Sequence, residues 1–263
     1  MRDMEQPVPG VHVEALGAGN VLVLLHGFAM NGGLFAPLVP ELARAHLVHV
    51  VDVPGHGRSP PLATFEMPRV VEAIDGAIGG SGLTVLGWSL GGQIALAWAR
   101  AHPQRIRKLV LVATTPSFVE REGWPHAMSA QTLSRFGDEL RASYRLTLQR
   151  FLALQVHGSV EGRATLAALR DGLFERGEPS REALDAALDA LIRNDLRATL
   201  PHIAVPTLVI AGERDALVPL AATRELAAAL PNAIHVTIDG AAHAPFLSHR
   251  RRFVDTVLSF VDG

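Results

Sequence analysis

The stretch Gly87-Trp88-Ser89-Leu90-Gly91-Gly92 decides the fold of this chain. The apolar residues 83–86 before it are typical of a short buried strand, and the Ala- and Leu-rich residues 93–100 after it are typical of a helix. The serine therefore lies on a predicted strand-to-helix turn with a glycine two positions to either side, which is the pattern of a nucleophile elbow. An ordinary glycine-rich turn also produces this pattern, so the flanking strand and helix supply the necessary context. We expect the helix N-terminus to stabilise an anion beside the serine.

Composition limits the classes of protein to which the chain can belong. Its 263 residues fit one large domain, or one domain with an insertion, and 48% hydrophobic residues are enough for a substantial core. A formal net charge of −2 predicts no general attraction to nucleic acid. The absence of cysteine excludes disulfides, thiolate catalysis and cysteine-based metal sites. We expect neither a metal nor another cofactor.

The sequence indicates no membrane segment. Residues 1–7 contain no apolar signal core. The longest aliphatic runs, such as residues 21–25, have the length of a strand. We therefore expect a cytoplasmic monomer that binds neither membrane nor nucleic acid.

Strand-like and helix-like segments alternate over most of the chain. Several of the strand-like segments are continuous apolar runs, as expected of strands buried on both faces. The alternation predicts an α/β protein with a mainly parallel, doubly covered sheet of about seven strands. Strands are predicted at residues 11–16, 21–25, 47–51, 83–86, 109–113, 207–211 and 233–238, and helices at 35–45, 67–78, 93–100, 220–230 and 252–261.

The pattern changes in residues 115–200. This segment predicts several amphipathic helices, with breaks near Gly158 and at Gly177-Glu178-Pro179, and it is too long for a plain connection. We interpret it as a helical cap inserted in a core formed by residues 1–114 and 201–263. Caps of this kind cover an active site and shape its entrance.

A serine nucleophile needs a base that is oriented by a third group. In this sheet architecture an acid and then a histidine follow the serine, each in a loop after a strand. The sixth predicted strand leads to Asp215, which we favour, and to Glu213, which competes with it; the last strand leads to His243. The pattern predicts that Ser89 attacks an ester carbonyl, that His243 moves the proton, and that Asp215 fixes the imidazole tautomer.

An oxyanion hole needs two N–H groups beside the serine. We expect one from Leu90, the residue after the nucleophile, and one from Phe28, in the loop after the second strand. The Phe28 ring could also be a pocket wall or a core aromatic, and the two roles are compatible because the N–H and the ring act separately.

The strand-His-Gly motif ending at Gly27, the loop 52–59 and the serine motif together resemble the α/β-hydrolase fold over essentially the whole chain. A narrower resemblance is to the pimeloyl-[acyl-carrier protein] methyl ester esterases of biotin synthesis. It rests on the serine motif together with Trp124-Pro125, Arg150-Phe151-Leu152-Ala153-Leu154-Gln155 and residues 241–249. This resemblance implies hydrolysis of the methyl ester of pimeloyl-acyl-carrier protein to methanol and pimeloyl-acyl-carrier protein, with the acyl-carrier protein as partner.

The resemblance also implies site residues. The family's serine, aspartate and histidine match Ser89, Asp215 and His243, and Phe28 stands where part of the family is expected to have tryptophan. The family's substrate contacts match the following positions: Phe28, Ser89, Leu90, Phe151, Leu152, Ala153, Leu154, Gln155 and His243.

The predicted cap carries an uneven charge. Residues 135–170 have six arginines against three acidic residues, whereas residues 171–197 have four against seven. A positive face could dock an acidic carrier protein, and a solvated helix surface is the alternative. The candidates for docking are Arg141 and Arg145, which we place on one helix face at i,i+4, together with Arg150 and Arg163.

Two other functions are compatible with the sequence. The chain could be another serine hydrolase of this fold, acting on small esters, lactones or carbon–carbon bonds of diketones. It could also be a non-catalytic ligand-binding member, although an intact triad argues against that. An aspartate nucleophile is disfavoured because the elbow carries Ser89.

Overall fold

The computed structural model describes residues 10–177 and 180–263. The expectations for residues 1–7, and for the part of the predicted break at Glu178-Pro179, lie outside these ranges. Within them, no helix is both long enough and apolar enough to cross a membrane.

A seven-stranded sheet forms the centre of the molecule, in the order β1-β3-β2-β4-β5-β6-β7. β1 pairs antiparallel with β3 at one edge, and the other described pairings are parallel. Every residue of β4 and of β6 is buried, so both faces of the sheet are covered there. The mainly parallel sheet predicted from the sequence is confirmed. The strands are β1 (Val13–Gly17), β2 (Asn20–Leu25), β3 (His46–Val51), β4 (Leu83–Trp88), β5 (Ile106–Val112), β6 (Thr207–Gly212) and β7 (Ala233–Ile238).

Helices flank this sheet and fill the long connection between β5 and β6. Helix α3 packs on β4 and β5, and α8 packs on β6 and β7. The helices are α1 (Val39–Leu42), α2 (Met67–Ala77), α3 (Leu90–Ala101), α4 (Ala130–Ala142), α5 (Tyr144–Gln155), α6 (Gly162–Glu175), α7 (Arg181–Arg193), α8 (Leu220–Ala229), α9 (Pro245–Ser248) and α10 (Arg250–Asp262).

The helix predicted over residues 35–45 is wrong. The structure has a 3₁₀ turn at Gly32–Phe35 and then α1, a single helical turn. Pro37 and Pro40 explain the difference, because proline has no N–H and neither residue can donate to a carbonyl of the preceding helical turn.

The segment between β5 and β6, residues 113–206, is called the insertion below. It contains α4 to α7, and α6 packs against both the 3₁₀ turn and α9. The side-chain amide of Asn31 donates to the Gly172 carbonyl at 2.8 Å. This contact fixes α6 to the loop that follows β2.

A buried ion pair also joins the insertion to the core. The side chain of Arg176, directly after α6, is 6% exposed and contacts the fully buried Asp52 at 3.3 Å and Glu14 at 2.5 Å. Burial alone would raise the pKa of Asp52, but N–H groups of Arg58 and Gly32 and the charge of Arg176 hold that pKa below its usual value. Asp52 therefore stays ionised and anchors the end of α6.

Candidate active site

Ser89 lies on the turn between β4 and α3, with φ 56° and ψ −115°. These angles are strained for a residue with a side chain and are typical of functional positions. A Cβ on Gly87 would overlap the Gly91 carbonyl oxygen, and a Cβ on Gly91 would overlap the Leu25 carbonyl oxygen. Both glycines are therefore required by close backbone approach.

Hydrogen bonds fix the Ser89 backbone on both sides. Its N–H donates to the Val112 carbonyl at 2.9 Å. Its carbonyl accepts from the Thr114 hydroxyl at 2.7 Å and from the Gly92 N–H at 2.9 Å. The serine side chain is thus carried by a rigid turn at the carboxyl end of β4.

His243 and Asp215 form a buried pair. The two lie in the loops after β7 and β6, and His243 Nδ1 is 2.8 Å from Asp215 Oδ2. The other carboxylate oxygen accepts the N–H groups of Leu217 at 2.8 Å and Val218 at 3.0 Å. Because a carboxylate only accepts, Nδ1 carries the proton, and Nε2 is left free to accept one.

Ser89 and His243 line the same cavity. In the described part of the chain no hydrogen bond joins the Ser89 hydroxyl to His243, and such bonds often tighten only when substrate binds. Glu213, the competing acid, points elsewhere: its carboxylate accepts the Gly240 N–H at 2.8 Å. Of the two acid candidates it is therefore Asp215 that contacts His243.

The loop after β2 packs against the turn that carries Ser89, and Phe28 and Ser89 line the same cavity. The Gly27 carbonyl accepts from His26 Nδ1 at 2.8 Å and from the Met30 N–H at 3.2 Å. In a trans peptide the N–H points away from the carbonyl, so these bonds also fix the direction of the Phe28 N–H. A Cβ on Gly27 would lie 3.2 Å from the Ser89 Cβ, which shows how closely this loop packs on the elbow.

His26 and His56 are buried neighbours with ring centroids 5.4 Å apart. The Val53 N–H donates to His26 Nε2 at 2.9 Å, which places the ring proton on Nδ1. Burial lowers the pKa of His26 to about 3, and it lowers the pKa of His56 to about 4. Both rings are neutral near pH 7 and hold the loops in place.

The cavity above Ser89 has a volume of about 100 Å³, and its walls are mainly apolar. Its roof includes three aromatic rings, Phe28 from the core, Phe136 from α4 and Phe151 from α5. The ring centroids of Phe28 lie 6.2 Å from Phe136 and 5.8 Å from Phe151, and those of Phe136 and Phe151 are 5.4 Å apart. Core and insertion therefore meet directly over the serine.

Of the predicted contact run 151–155, Phe151 and Leu154 line the cavity. They are three residues apart and so share one face of α5. Leu152 is fully buried in the hydrophobic core, and Ala153 is exposed. Gln155 is buried, and its backbone carbonyl accepts the N–H of His243 at 3.0 Å. Sequence reasoning gave no signal for this backbone contact.

The helix face predicted to carry both Arg141 and Arg145 does not form. Arg141 lies in the last turn of α4 and Arg145 in the first turn of α5, because Ser143 between the two helices has φ −144° and ψ 58°. Arg141 pairs with Asp138 at 3.0 Å and with Asp185 at 3.5 Å. Its charge is therefore partly neutralised.

The other docking candidates are also exposed on the insertion. Arg150 lies 3.9 Å from Glu139, a long contact with a side chain that also pairs with Arg135. No described residue forms an ion pair with Arg163 on α6. In residues 10–177 and 180–263, no group of three or more metal-binding side chains is placed to hold a metal ion.

Comparison with known proteins gives matches over nearly the whole chain. The alpha/beta hydrolase fold family matches residues 20–250. A pimeloyl-[acyl-carrier protein] methyl ester esterase of Xanthomonas campestris is 46% identical over 252 residues, which cover 95% of this chain and 98% of that protein. One of the same name from Chromobacterium violaceum is 44% identical, over 92% of this chain and 94% of that protein.

Solved structures share the fold of this chain. An esterase from Exiguobacterium antarcticum superposes with a TM-score of 0.87 at 25% identity, over 96% of each chain. A bromoperoxidase from Bacillus anthracis has a TM-score of 0.88 at 23% identity, over 96% of this chain and 95% of that one, and shows the shared fold alone. The chain therefore belongs to the α/β-hydrolase fold and, within it, to the pimeloyl-[acyl-carrier protein] methyl ester esterase family.

Proposed function

We propose that the protein is a serine carboxylesterase that hydrolyses the methyl ester of pimeloyl-acyl-carrier protein in biotin synthesis, releasing methanol and pimeloyl-acyl-carrier protein. The observation that carries this proposal is the extent of the match to relatives of that name. Because it covers 95% of the chain, it includes most of the insertion, which shapes the cavity. The buried His243–Asp215 pair beside Ser89 supports serine-based hydrolysis.

In the first half of the reaction, the Ser89 oxygen attacks the carbonyl carbon of the methyl ester while His243 Nε2 takes the hydroxyl proton. The carbonyl oxygen becomes an oxyanion, which accepts hydrogen bonds from the N–H groups of Phe28 and Leu90. When the tetrahedral intermediate collapses, the bond to the methoxy oxygen breaks. His243 gives its proton to that oxygen, and methanol leaves an acyl-serine.

In the second half, His243 Nε2 takes a proton from water, whose oxygen attacks the acyl-serine carbonyl. Collapse of this second intermediate returns the proton from His243 to the Ser89 oxygen and releases the carboxylic acid. Asp215 holds the imidazole tautomer and stabilises the imidazolium in both halves.

The cavity suits a neutral, chain-like acyl group. Its apolar walls, including Phe136, Phe151 and Leu154, can bury the methylene chain that separates the ester from the carrier. Leu154 is 43% exposed and marks the rim of the cavity. We place the carrier outside this rim, with residues 115–200 of the insertion acting as the cap over a core of residues 1–114 and 201–263.

The carrier would contact the basic side of the cap. Arg150 and Arg163 are exposed and are the arginines that we favour for docking an acidic partner. Arg145 is exposed at the start of α5 and remains a candidate. Arg141 is a weaker one because of its contacts with Asp138 and Asp185.

The test uses a carrier protein loaded with the pimeloyl methyl ester, which contains two acyl bonds, the methyl ester and the thioester. Intact-mass analysis after incubation with the protein should show loss of the methyl group with the thioester unbroken. Cleavage at the thioester, or no cleavage while small esters are hydrolysed, would contradict the proposed substrate. The Ser89→Ala protein is the control and should leave both bonds intact.

A further inference from the structure

The turn that connects α5 to α6, residues 155–160, contacts both loops that carry the His243–Asp215 pair. The His243 N–H donates to the Gln155 carbonyl at 3.0 Å, and the Val160 N–H donates to the Gly240 carbonyl at 3.3 Å. On the other side, Arg214 Nη1 donates to the Gly158 carbonyl at 2.9 Å. This α5–α6 turn therefore connects the insertion to both loops.

The contact at Gln155 uses a group that its helix leaves free. Gln155 is the last residue of α5, and the final carbonyls of a helix have no partner within it. Gln155 is 1% exposed and His243 is 2% exposed, so this hydrogen bond is shielded from water. A shielded backbone hydrogen bond is costly to break, because water does not replace it.

The two loops are also bonded to each other. The Arg214 N–H donates to the Ala241 carbonyl at 2.8 Å, and the Gly240 N–H donates to the Glu213 carboxylate at 2.8 Å. The histidine loop, the aspartate loop and the α5–α6 turn thus form one network around the His243–Asp215 pair. A displacement of the turn would displace the backbone that carries the imidazole.

We propose that the α5–α6 turn positions His243, with Gln155 and Gly158 acting as positioning residues and Arg214 strengthening the connection. This inference rests on the proposed function, since it concerns the base of that reaction. It gives the insertion a second role: α5 supplies Phe151 and Leu154 to the cavity wall, and its C-terminal end holds the base toward Ser89. Displacing a catalytic group by about 1 Å can cost about a hundredfold in rate.

Gly158 offers a way to disturb the turn alone. Its φ is +77°, which an alanine tolerates poorly, and its Cβ would meet the Arg214 Cβ at 3.6 Å, an ordinary contact. The matched control is Gly123, an exposed glycine elsewhere in the insertion with φ +71° and its nearest neighbour, Arg197 Nη1, at 3.9 Å. Alanine at either position introduces similar backbone strain. Of the two glycines, only Gly158 accepts a hydrogen bond from a catalytic loop, through Arg214.

The experiment compares Gly158→Ala with Gly123→Ala in the full chain, using p-nitrophenyl acetate as a small ester that needs no carrier. We expect kcat of Gly158→Ala to fall about tenfold, with KM changed by less than about twofold and a melting temperature equal to that of Gly123→Ala. Gly123→Ala should keep the kcat of the unaltered protein. Equal kcat values in the two variants would overturn the proposal.

Arg214→Ala keeps the inference testable if Gly158→Ala does not fold, because it removes the side-chain bond and leaves the turn backbone unchanged. We expect a smaller loss of kcat, about threefold, with partial recovery in Arg214→Lys. The proton NMR signal of His243 Nδ1–H should shift in Arg214→Ala and stay in place in Gly123→Ala. Unchanged kcat and signal in Arg214→Ala would overturn the inference, whereas failure of the unaltered protein to hydrolyse any ester would instead overturn the proposed function.

Discussion

The carboxyl edge of the sheet and the helical insertion meet at one cavity but hold their residues by different means. At the sheet edge, Ser89, Asp215 and His243 lie in short loops after β4, β6 and β7, and buried backbone hydrogen bonds fix them. The α4–α5 part of the insertion reaches the cavity through aromatic contacts and carries exposed ion pairs. We infer from this difference that the sheet edge carries the reacting groups, whereas the outer face of α4 and α5 affects which substrates bind.

The two regions also differ in what a substitution should do. A change at the sheet edge should remove a chemical step for every ester, because these loops carry the proposed nucleophile, base and acid. A change on the outer face of the insertion should affect only substrates large enough to touch it.

The largest expected effect is that of Ser89→Ala, which removes the nucleophile. We expect hydrolysis of small and carrier-linked esters to fall by about 10⁴-fold or more, with an unchanged melting temperature. Ser81→Ala, at an exposed serine before β4, is the control and should behave as the unaltered protein. Substantial esterase activity in Ser89→Ala would show that the nucleophile is another residue. The reacting groups could then no longer be assigned to the sheet edge.

Asp215→Asn should have the next largest effect. The amide cannot hold the imidazole in the productive tautomer, so we expect kcat to fall by about 10³-fold or more on both kinds of ester. Glu213→Gln is the matched control, since Glu213 is in the same loop but accepts a hydrogen bond from Gly240 rather than from His243. The assignment of the acid would be reversed if Glu213→Gln lost activity and Asp215→Asn kept it.

Much of this sheet edge could be predicted from the sequence, because strand-sized apolar runs followed by polar loops have a local signature. The seven strands and the helix after Ser89 have this signature. The segment 35–45, which contains two prolines, has less helix than its sequence predicts. The ion pairs of Arg176 with Asp52 and Glu14 could not be predicted, because they join residues far apart in the chain and leave no local sequence pattern.

The insertion was predictable only as a set of helices. Its amphipathic periodicity shows that helices form, but not where Ser143 ends one and the next begins, and that break decides which faces Arg141 and Arg145 occupy. The contact of Gln155 with His243 is made by a backbone carbonyl, which every residue has, so no side-chain pattern could reveal it.

Acidification should lower the free energy of unfolding, because the core contains two buried histidines. The folded-state pKa values of His26, about 3, and His56, about 4, lie below the usual value of 6.5. The unfolded chain therefore binds more protons than the folded protein at acidic pH. The contribution of the two neutral histidines to the free energy of unfolding is complete above pH 6.5, and it is lost as the pH falls toward their folded-state pKa values. Each histidine should contribute a slope of about 1.4 kcal/mol per pH unit between those limits.

The measurement is the free energy of unfolding against pH, obtained by urea titration. His56→Asn should reduce the slope of the free energy of unfolding against pH by about 1.4 kcal/mol per pH unit between about pH 4 and 6.5. His126→Asn, at an exposed histidine of the insertion, is the control and should leave the slope unchanged. An unreduced slope in His56→Asn would show that this ring is not held neutral by the fold.

The smallest expected effects belong to the outer face of the insertion. Arg150→Ala and Arg163→Ala should each raise KM for the carrier-linked ester by a few-fold, at most about 1 kcal/mol, because exposed charge pairs are individually weak. Added salt should reduce the difference in KM between each variant and the unaltered protein, because salt screens the charges. Arg141→Ala is the matched control and should change KM less, since its charge is shared with Asp138 and Asp185. Equal losses on a small free ester would assign these arginines to the structure of the insertion rather than to docking.

The most direct test of the account compares kcat/KM for two substrates with the same scissile bond: the pimeloyl methyl ester linked to the carrier protein and the same ester on free pantetheine. We predict that the carrier-linked ester has the higher kcat/KM, by about tenfold or more at low salt, that salt narrows the ratio, and that Ser89→Ala hydrolyses neither. Equal kcat/KM values for the two substrates at low salt would contradict selection by the insertion, and hydrolysis by Ser89→Ala would contradict the assigned chemistry.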